Sequence, residues 1–355
     1  MANFGHGGNA QIISRKMNIN FEDIIDFSAN INPLGIPKSI KSAIIENLNL
    51  IEKYPDISYF DLKKSISKFE NIKEEYILLG NGAAEVIFSV VRAINPKNSL
   101  IMAPTFSEYE EAVASVGGNI RYYYLKEEND FKIQDDILEC INNELDLIFI
   151  CNPNNPTGVL TSKELLLKIL IKAKKNNVKV LIDESFLDFI KDGLTMICYL
   201  NAYDNLIIVK SLTKFFALPG LRIGYGLSSN GKLKERTEEI SPAWNINILA
   251  EVATKSALLD EKYIKETIKF INAEKDYLYN ELNKIKELKV FKSSANFIFI
   301  KVNKYLDLKE KLLNFNILIR SCSNYKGLNN KYYRLAVRTH EENKKLIENL
   351  HKVLK

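Results

Sequence analysis

Short apolar runs alternate with amphipathic stretches between Tyr76 and Leu227. The apolar runs are the candidate strands, namely YILL, SLIMA, IRYYYL, LDLIFIC, VKVLID, LIIVKS and RIGYGL. Strands that alternate with helical stretches predict βαβ units and a mostly parallel sheet. Their nearly continuous apolar character is typical of strands that are covered on both faces. We therefore predict that this part of the chain is an α/β domain.

The pattern changes after Trp244. A long stretch rich in Lys and Glu predicts a helix over residues 261–286, and shorter strand candidates follow at 295–302, 317–320 and 332–337. These elements predict a second, smaller α+β domain. The expected division is an N-terminal segment that packs with the small domain, a large domain and the small domain, at residues 1–45, 46–250 and 251–355.

Composition narrows the class of protein. Hydrophobic residues make up 46% of the 355 residues and charged residues 26%, which is typical of a folded globular protein and not of a disordered chain. The net charge of +5 comes from Lys residues interleaved with acidic ones, so we expect no nucleic-acid binding. The 4 cysteines form no C-x-x-C pair, so no metal site is predicted. Without a signal-peptide pattern or an apolar run of ~20 residues, we expect a cytoplasmic protein that binds no membrane.

The segment SLTKFFALPGLRIGY contains Lys214 directly after the strand candidate LIIVKS. Burying an ammonium group is costly unless it is paired or neutralised. An imine to an aldehyde cofactor removes the charge, and lysine used in this way is a covalent catalyst. Taken alone, Lys214 fits a surface lysine after a strand better than a catalytic one. The neighbouring strand ends favour the catalytic interpretation.

Three other strand candidates end in residues that suit pyridoxal 5′-phosphate (PLP). Asp183 ends VKVLID and could pair with the protonated pyridine nitrogen, although a lone Asp there also suits a helix cap. Asn155, in the loop CNPNNPTG, could donate to the phenolic oxygen, or the loop could simply connect a strand to a helix. Gly82 precedes a predicted helix at Ala83, whose amides could bind a phosphate. Ligands bind outside the carboxyl ends of strands in such sheets, so these residues predict one site.

These motifs resemble those of fold-type I PLP enzymes, the aspartate aminotransferase superfamily, over nearly the whole chain. The resemblance implies that Lys214 forms the Schiff base, that Asp183 pairs with the pyridinium and that Asn155 binds the O3′ oxygen. It also implies that the cofactor phosphate is held by Gly82, Ala83, Ala84, Ser211 and Arg222.

The resemblance extends to two tyrosines. Tyr109, in PTFSEY, would stack on the pyridine ring, and Tyr54, in KYPD, would reach the cofactor phosphate of a neighbouring subunit. A site shared in this way requires a homodimer. Two positions depart from the superfamily pattern, because Phe186 replaces a tyrosine that would bind O3′ and Thr213 replaces a serine.

The N-terminal run GHGGNA and the later DFSANINPLG resemble the threonine-phosphate decarboxylases of cobalamin biosynthesis, near relatives of the histidinol-phosphate aminotransferases. GNGAAE and DESFLDF resemble the same decarboxylases. The resemblance implies that His6, Asn32, Gly35 and Asn155 contact the substrate. For His6, an N-terminal tail without a role in binding is the alternative.

Two arginines complete the predicted substrate site. Arg334, in YYRLAVRTHEEN, matches the carboxylate-binding position of the superfamily and suits a bidentate contact, or else lies with Arg338 on an exposed edge strand. Arg320, after NILI, is the candidate for a substrate phosphate.

The predicted reaction is PLP-dependent decarboxylation of O-phospho-L-threonine to (R)-1-aminopropan-2-ol O-phosphate. An aminotransferase acting on histidinol phosphate shares every predicted cofactor residue and is the main alternative. A ligand-sensing regulator built on an inactive domain is a further alternative, against which the presence of Lys214 and Asp183 argues.

Overall fold

The structure, a computed structural model, describes residues 7–190 and 195–355. Its strands are β1 (Ile25–Asp26), β2 (Ile77–Gly80), β3 (Asn98–Ala103), β4 (Asn119–Tyr124), β5 (Leu147–Cys151), β6 (Lys179–Asp183), β7 (Leu206–Ser211), β8 (Gly224–Leu227), β9 (Leu288–Phe291), β10 (Phe297–Val302), β11 (Ile317–Leu318), β12 (Arg320–Ser321) and β13 (Tyr332–Ala336). Its α-helices are α1 (Ala10–Met17), α2 (Lys38–Glu46), α3 (Phe60–Glu70), α4 (Ala83–Ile94), α5 (Glu108–Ala114), α6 (Lys163–Lys175), α7 (Leu212–Phe215), α8 (Gly231–Ile240), α9 (Ile248–Leu259), α10 (Glu261–Asn283), α11 (Leu308–Leu313) and α12 (His340–Leu354).

The larger sheet has the strand order β2-β8-β7-β6-β5-β3-β4. Strands β4, β3, β5, β6 and β7 run parallel to one another, and β8 is antiparallel to both β7 and β2. The prediction of a mostly parallel sheet is therefore confirmed. Because β8 runs the other way, its first residue, Gly224, lies beside the last residues of β7 and β2, Ser211 and Gly80.

Both faces of the larger sheet are covered, as the apolar strands require. In β5, Leu147, Phe149 and Cys151 pack in the core on the α4 and α5 side. The alternate residues Ile148 and Ile150 pack in the core that contains α6 residues. Side chains alternate between the faces of a strand, so a strand buried on both faces is apolar throughout.

The smaller sheet is antiparallel, with the order β12-β13-β10-β9, and α10, α11 and α12 contribute to its core. Strand β9 was not predicted, because LKVF follows a Lys- and Glu-rich helix without a clear break. The strand candidate at 317–320 forms two short strands, β11 and β12. Strand β1 of the N-terminal segment pairs in parallel with β11.

Candidate active site

A cavity of about 160 Å³ lies at the carboxyl edge of the larger sheet. A larger cavity of about 430 Å³, between Asn71 and Asn201, contains none of the predicted site residues, so size alone does not identify the site. The smaller cavity is lined by residues at or near the ends of β5, β6 and β7 and by residues at the start of α4. Its lining residues are Gly82, Ala83, Ala84, Phe106, Glu108, Cys151, Asn155, Asp183, Ser185, Phe186, Ser211, Thr213, Lys214 and Arg222.

Lys214 lies in α7 and its amine faces this cavity. Lys214 Nζ donates to Ser211 Oγ at 3.0 Å, and the hydroxyls of Ser211 and Thr213 are 2.9 Å apart. Burial lowers the pKa of Lys214, the Asp183 charge opposes this shift, and the Arg222 charge adds to it. A lower pKa increases the fraction of neutral amine, which is the nucleophilic form.

Asp183 ends β6 and is only 4% exposed. Its Oδ2 accepts a hydrogen bond from the Tyr109 hydroxyl at 2.7 Å, and its Oδ1 accepts from the Ser185 amide at 2.9 Å. Two donors on a buried carboxylate fix its orientation and compensate for its lost hydration. Asp183 is therefore held rigidly in the wall of the cavity.

The expectation that Tyr109 stacks on a bound ring is wrong. Tyr109 is fully buried, outside the cavity lining, and its ring stacks on Phe149 with centroids 5.1 Å apart. Burial raises the pKa of Tyr109 well above its usual value, with the Asp183 charge as a second cause. Helix α5 begins at Glu108 and directs Tyr109 into the core, whereas Phe106 remains at the cavity wall. The segment PTFSEY contains two aromatic residues, Phe106 and Tyr109, and their spacing alone did not show which of them faces the cavity.

The start of α4 and Arg222 line one part of the cavity, where two glycines allow close approaches. Gly82 has φ +89°, and a Cβ there would lie 2.7 Å from Arg222 Nη2. A Cβ on Gly224 would lie 2.4 Å from the Ala83 amide nitrogen. The backbone contact leaves no room for a Cβ at Gly224, and Gly82 has a φ that residues with a Cβ rarely adopt. The free amides of a helix start bind anions. With Ser211 beside Gly224, these residues fit the phosphate of PLP.

Asn155 connects the cofactor side of the cavity to the smaller sheet. Its Oδ1 accepts hydrogen bonds from Arg334 Nη1 at 2.6 Å and from the Tyr325 hydroxyl at 3.3 Å. Because the amide oxygen faces these donors, the amide NH₂ is the part of Asn155 that could donate to a ligand. Tyr325 lies in a loop after β12, not at a strand end, and was not predicted.

Arg334 is 5% exposed and lies on β13, between β12 and β10. The alternative of an exposed edge strand is therefore wrong. Arg334 Nη2 donates to the Ser28 carbonyl at 2.6 Å, and in the described part of the chain Arg334 Nε has no hydrogen-bond partner. A buried guanidinium with an unused donor is suited to an anionic ligand.

Arg320 lies directly opposite Arg334 in the β12–β13 register. Its Nη2 donates to Asn324 Oδ1 at 2.8 Å, and its guanidinium lies 5.2 Å from the centre of the Tyr325 ring. Opposed residues of an antiparallel pair project from the same face of the sheet. The structure therefore brings the two predicted substrate arginines together.

Comparison with known proteins identifies the family. A family model described as aminotransferase class I and II matches residues 22–350. The chain belongs to this family. It is therefore an enzyme that depends on PLP, which confirms the predicted superfamily and cofactor.

Individual relatives refine this placement. The chain is 38% identical to a threonine-phosphate decarboxylase of Salmonella typhimurium, over 99% of this chain and 97% of that protein. It is 38% identical to an adenosylcobalamin biosynthesis bifunctional protein of Leptospira interrogans, over 97% of this chain and 40% of that protein. Among solved structures, the histidinol-phosphate aminotransferase of Clostridium acetobutylicum is similar, with a TM-score of 0.87 and 34% identity over 92% of this chain and 98% of that one.

The substrate role expected for Asn32 in this aminotransferase-family enzyme stays a prediction, and the structure shows a further role for this residue. Asn32 is 2% exposed and does not line the cavity. Its amide nitrogen donates to the Lys214 carbonyl at 3.0 Å, and its Nδ2 donates to the Phe215 carbonyl at 2.8 Å. Asn32 thus adds hydrogen bonds to the carbonyls at the end of the short helix α7 and holds the N-terminal segment against it.

Gly35 also lies away from the cavity lining. Its carbonyl accepts a hydrogen bond from the Tyr263 hydroxyl at 2.7 Å, which ties the segment to α10. His6 lies outside the described residues, but Gly7 and Gly8 follow it. A Cβ on Gly7 would lie 2.1 Å from the Ser28 carbonyl oxygen and 3.3 Å from Arg334 Nη2, so this segment packs against the arginine.

Tyr54 is 81% exposed and its ring lies 4.8 Å from that of Trp244. It is not part of the cavity lining in its own chain.

Among the described residues, every helix is too short or too polar to span a bilayer.

Proposed function

We propose that this chain catalyses the decarboxylation of O-phospho-L-threonine to (R)-1-aminopropan-2-ol O-phosphate in cobalamin biosynthesis. The observation that carries the proposal is the pair of arginines on one sheet face beside Asn155. Arg334 is buried with an unused Nε, and Arg320 lies opposite it on the neighbouring strand. Two guanidinium groups suit a small substrate that has both a carboxylate and a phosphate. The relatives named above from Salmonella and Leptospira support the same assignment.

The residues of the cavity fit the cofactor. Lys214 would hold it covalently, Asp183 would pair with the ring nitrogen, and the Asn155 amide would donate to its phenolic oxygen. The phosphate would be held by the side chains and amides of Gly82, Ala83, Ala84, Ser211 and Arg222. Bound PLP supplies an electron sink for the electron pair that a departing carboxylate leaves at Cα.

The protein groups around the substrate then have distinct tasks. Arg334 would bind the carboxylate and Arg320 the phosphate, so that contacts remote from Cα determine which bond is broken. Lys214, whose pKa burial lowers, could deliver a proton to Cα after carbon dioxide has left. His6 remains a predicted substrate contact, and Gly7, which follows it in the sequence, packs against Arg334.

The homodimer is part of the proposal. Large apolar side chains from the end of α2 to the start of α3, together with Trp244, are exposed in the single chain: Ile45, Leu48, Ile51, Tyr54, Ile57, Phe60 and Trp244. Such a surface marks an interface, and a second copy of the chain would bury it. Tyr54 would then reach the cofactor phosphate of the partner.

We propose further that the protein is cytoplasmic and that its domains are the predicted segments 1–45, 46–250 and 251–355.

The second candidate function is transamination of histidinol phosphate. The likeness to the Clostridium acetobutylicum aminotransferase favours it, and the cofactor residues suit both reactions equally. The products distinguish the two. Transamination yields a keto compound and transfers the amino group, whereas decarboxylation releases carbon dioxide.

An assay of the purified holoenzyme tests the proposal directly. The protein is incubated with phosphothreonine, and separately with histidinol phosphate plus 2-oxoglutarate, and carbon dioxide and glutamate are measured. We expect carbon dioxide from phosphothreonine and no glutamate. Glutamate formation without carbon dioxide would replace the decarboxylase by the aminotransferase.

A further inference from the structure

One face of the smaller sheet carries both substrate arginines and a set of charged and aromatic residues. Side chains that are directly opposed across antiparallel strands, or two residues apart on one strand, share a face. By the observed register, this face includes Lys289, Phe299, Lys301, Arg320, Tyr332 and Arg334. Because Arg334 contacts Asn155, this face is directed toward the larger sheet.

Glu127 follows the edge strand β4 of the larger sheet and reaches this face. Its Oε1 is 3.0 Å from Lys289 Nζ, and its Oε2 is 2.7 Å from Lys301 Nζ. The Tyr332 hydroxyl also donates to Glu127 Oε2. One carboxylate from the larger sheet thus contacts three neighbouring strands of the smaller one, β9, β10 and β13.

The Glu127 carboxylate is charged across the neutral pH range. Burial raises the pKa of Glu127, but the combined hydrogen bonds from Lys301, Tyr332 and Lys289 outweigh it and lower the pKa to about 2. Phe131, in the same loop, packs edge-on against Phe299 with ring centroids 5.4 Å apart. The loop therefore joins the two sheets through charge and through apolar contact.

Tyr332 and Phe299 connect Glu127 to Arg334 through a series of contacts. Tyr332 precedes Arg334 by two residues on β13 and shares its face. Its ring stacks on Phe299, at 5.5 Å between centroids, and Phe299 is the residue opposite Arg334 on β10. A shift of Tyr332 would thus move the strand segment that carries Arg334.

We propose that Glu127 is a positioning residue that holds Arg334 and Arg320 at the correct distance from Lys214 and Asp183. The inference rests on the proposed role of the arginines in substrate binding. Glu127 itself touches neither the cavity nor Lys214, so its loss should weaken substrate binding and leave the cofactor in place.

The test compares Glu127→Gln with Glu144→Gln in the PLP-loaded enzyme. Glu144 forms an exposed ion pair with Arg121 at 2.7 Å within the larger sheet and serves as the matched control. For Glu127→Gln we expect the KM and the Kd for phosphothreonine to rise about tenfold, the scale of one lost contact in a charge network, while the visible spectrum of the cofactor stays unchanged. Glu144→Gln should change none of these.

Amide hydrogen exchange of substrate-free enzyme provides a second measurement. In Glu127→Gln, the amides of residues 332–336 should exchange faster than in the wild type and in Glu144→Gln. Unchanged exchange, or faster exchange with an unchanged Kd, would overturn the positioning role. A wild type that does not decarboxylate phosphothreonine would refute only the proposed function, and the exchange comparison would then decide on Glu127 alone.

Discussion

The two halves of the candidate active site are built in different ways. The cofactor half consists of residues at the ends of neighbouring strands of one sheet, where Asp183 ends β6 and Ser211 ends β7. The substrate half consists of residues from separate parts of the chain, as in the contacts of Arg334 with Asn155 and Ser28. The first half is fixed by sheet topology. The second depends on how the smaller sheet and the N-terminal segment pack against the first.

This difference has consequences for mutation. A change in the cofactor half removes a group that the chemistry needs, so its effect should be nearly complete. A change in the substrate half alters one of several contacts, and its effect should depend on which group of the substrate is present. The predictions below test this contrast, beginning with the largest expected effect.

Lys214→Ala should abolish activity, lowering kcat by roughly 10⁴-fold or more, the scale of losing a covalent catalytic group. Treatment of the wild type with borohydride should fix the cofactor to the chain at Lys214, and the variant should retain none. The exposed Lys232 provides the control, since Lys232→Ala should behave as wild type. A cofactor still fixed by borohydride in Lys214→Ala would assign the anchor to another lysine.

Arg320→Ala should lower kcat/KM for phosphothreonine by about 100-fold, as expected for one lost charge-assisted contact of roughly 3 kcal/mol. Unphosphorylated threonine has no such contact to lose, so wild type and variant should turn it over equally poorly. Comparing both substrates in both enzymes separates a lost contact from damage to the fold. Arg121→Ala, on the edge strand β4, is the control. An equal proportional loss with both substrates would give Arg320 a structural role only.

The same contrast explains what the sequence could predict. Asp183 ends a buried strand, and Asn155 and Lys214 each follow one. Parallel strands bring their carboxyl ends to one edge, so the cofactor half could be predicted from the order of motifs. Strand β8 adds Arg222 because it runs antiparallel and starts at that edge.

What the sequence did not predict depends on tertiary packing. Tyr109 and Phe106 are three residues apart, and only the start of α5 decides which of them faces the cavity. The sequence around Glu127 did not indicate its contacts, because its partners lie more than 160 residues further along the chain.

The smallest effect is expected for Tyr109→Phe, which tests whether the cofactor half also depends on residues behind the cavity. The substitution removes the hydroxyl that donates to Asp183 Oδ2 and leaves the Ser185 amide on Oδ1. A hydrogen bond to a charged group contributes about 1.5–3 kcal/mol. Because one of the two donors is retained, we expect the free-energy cost to lie near the lower end of this range. This corresponds to a decrease in kcat of about tenfold, with KM unchanged.

Tyr76→Phe is the matched control for this variant, because it removes a hydroxyl that donates to Asn201 Oδ1 at 2.7 Å, away from the cavity. The visible spectrum of the bound cofactor across a pH titration supplies the deciding measurement, since it responds to the orientation of Asp183 and not to stability alone. A shifted titration in Tyr109→Phe, and none in Tyr76→Phe, would show that the core beneath the cavity orients the carboxylate. If both variants lose activity equally and neither titration moves, then Tyr109 contributes only to packing, and strand topology alone is sufficient to build the cofactor half.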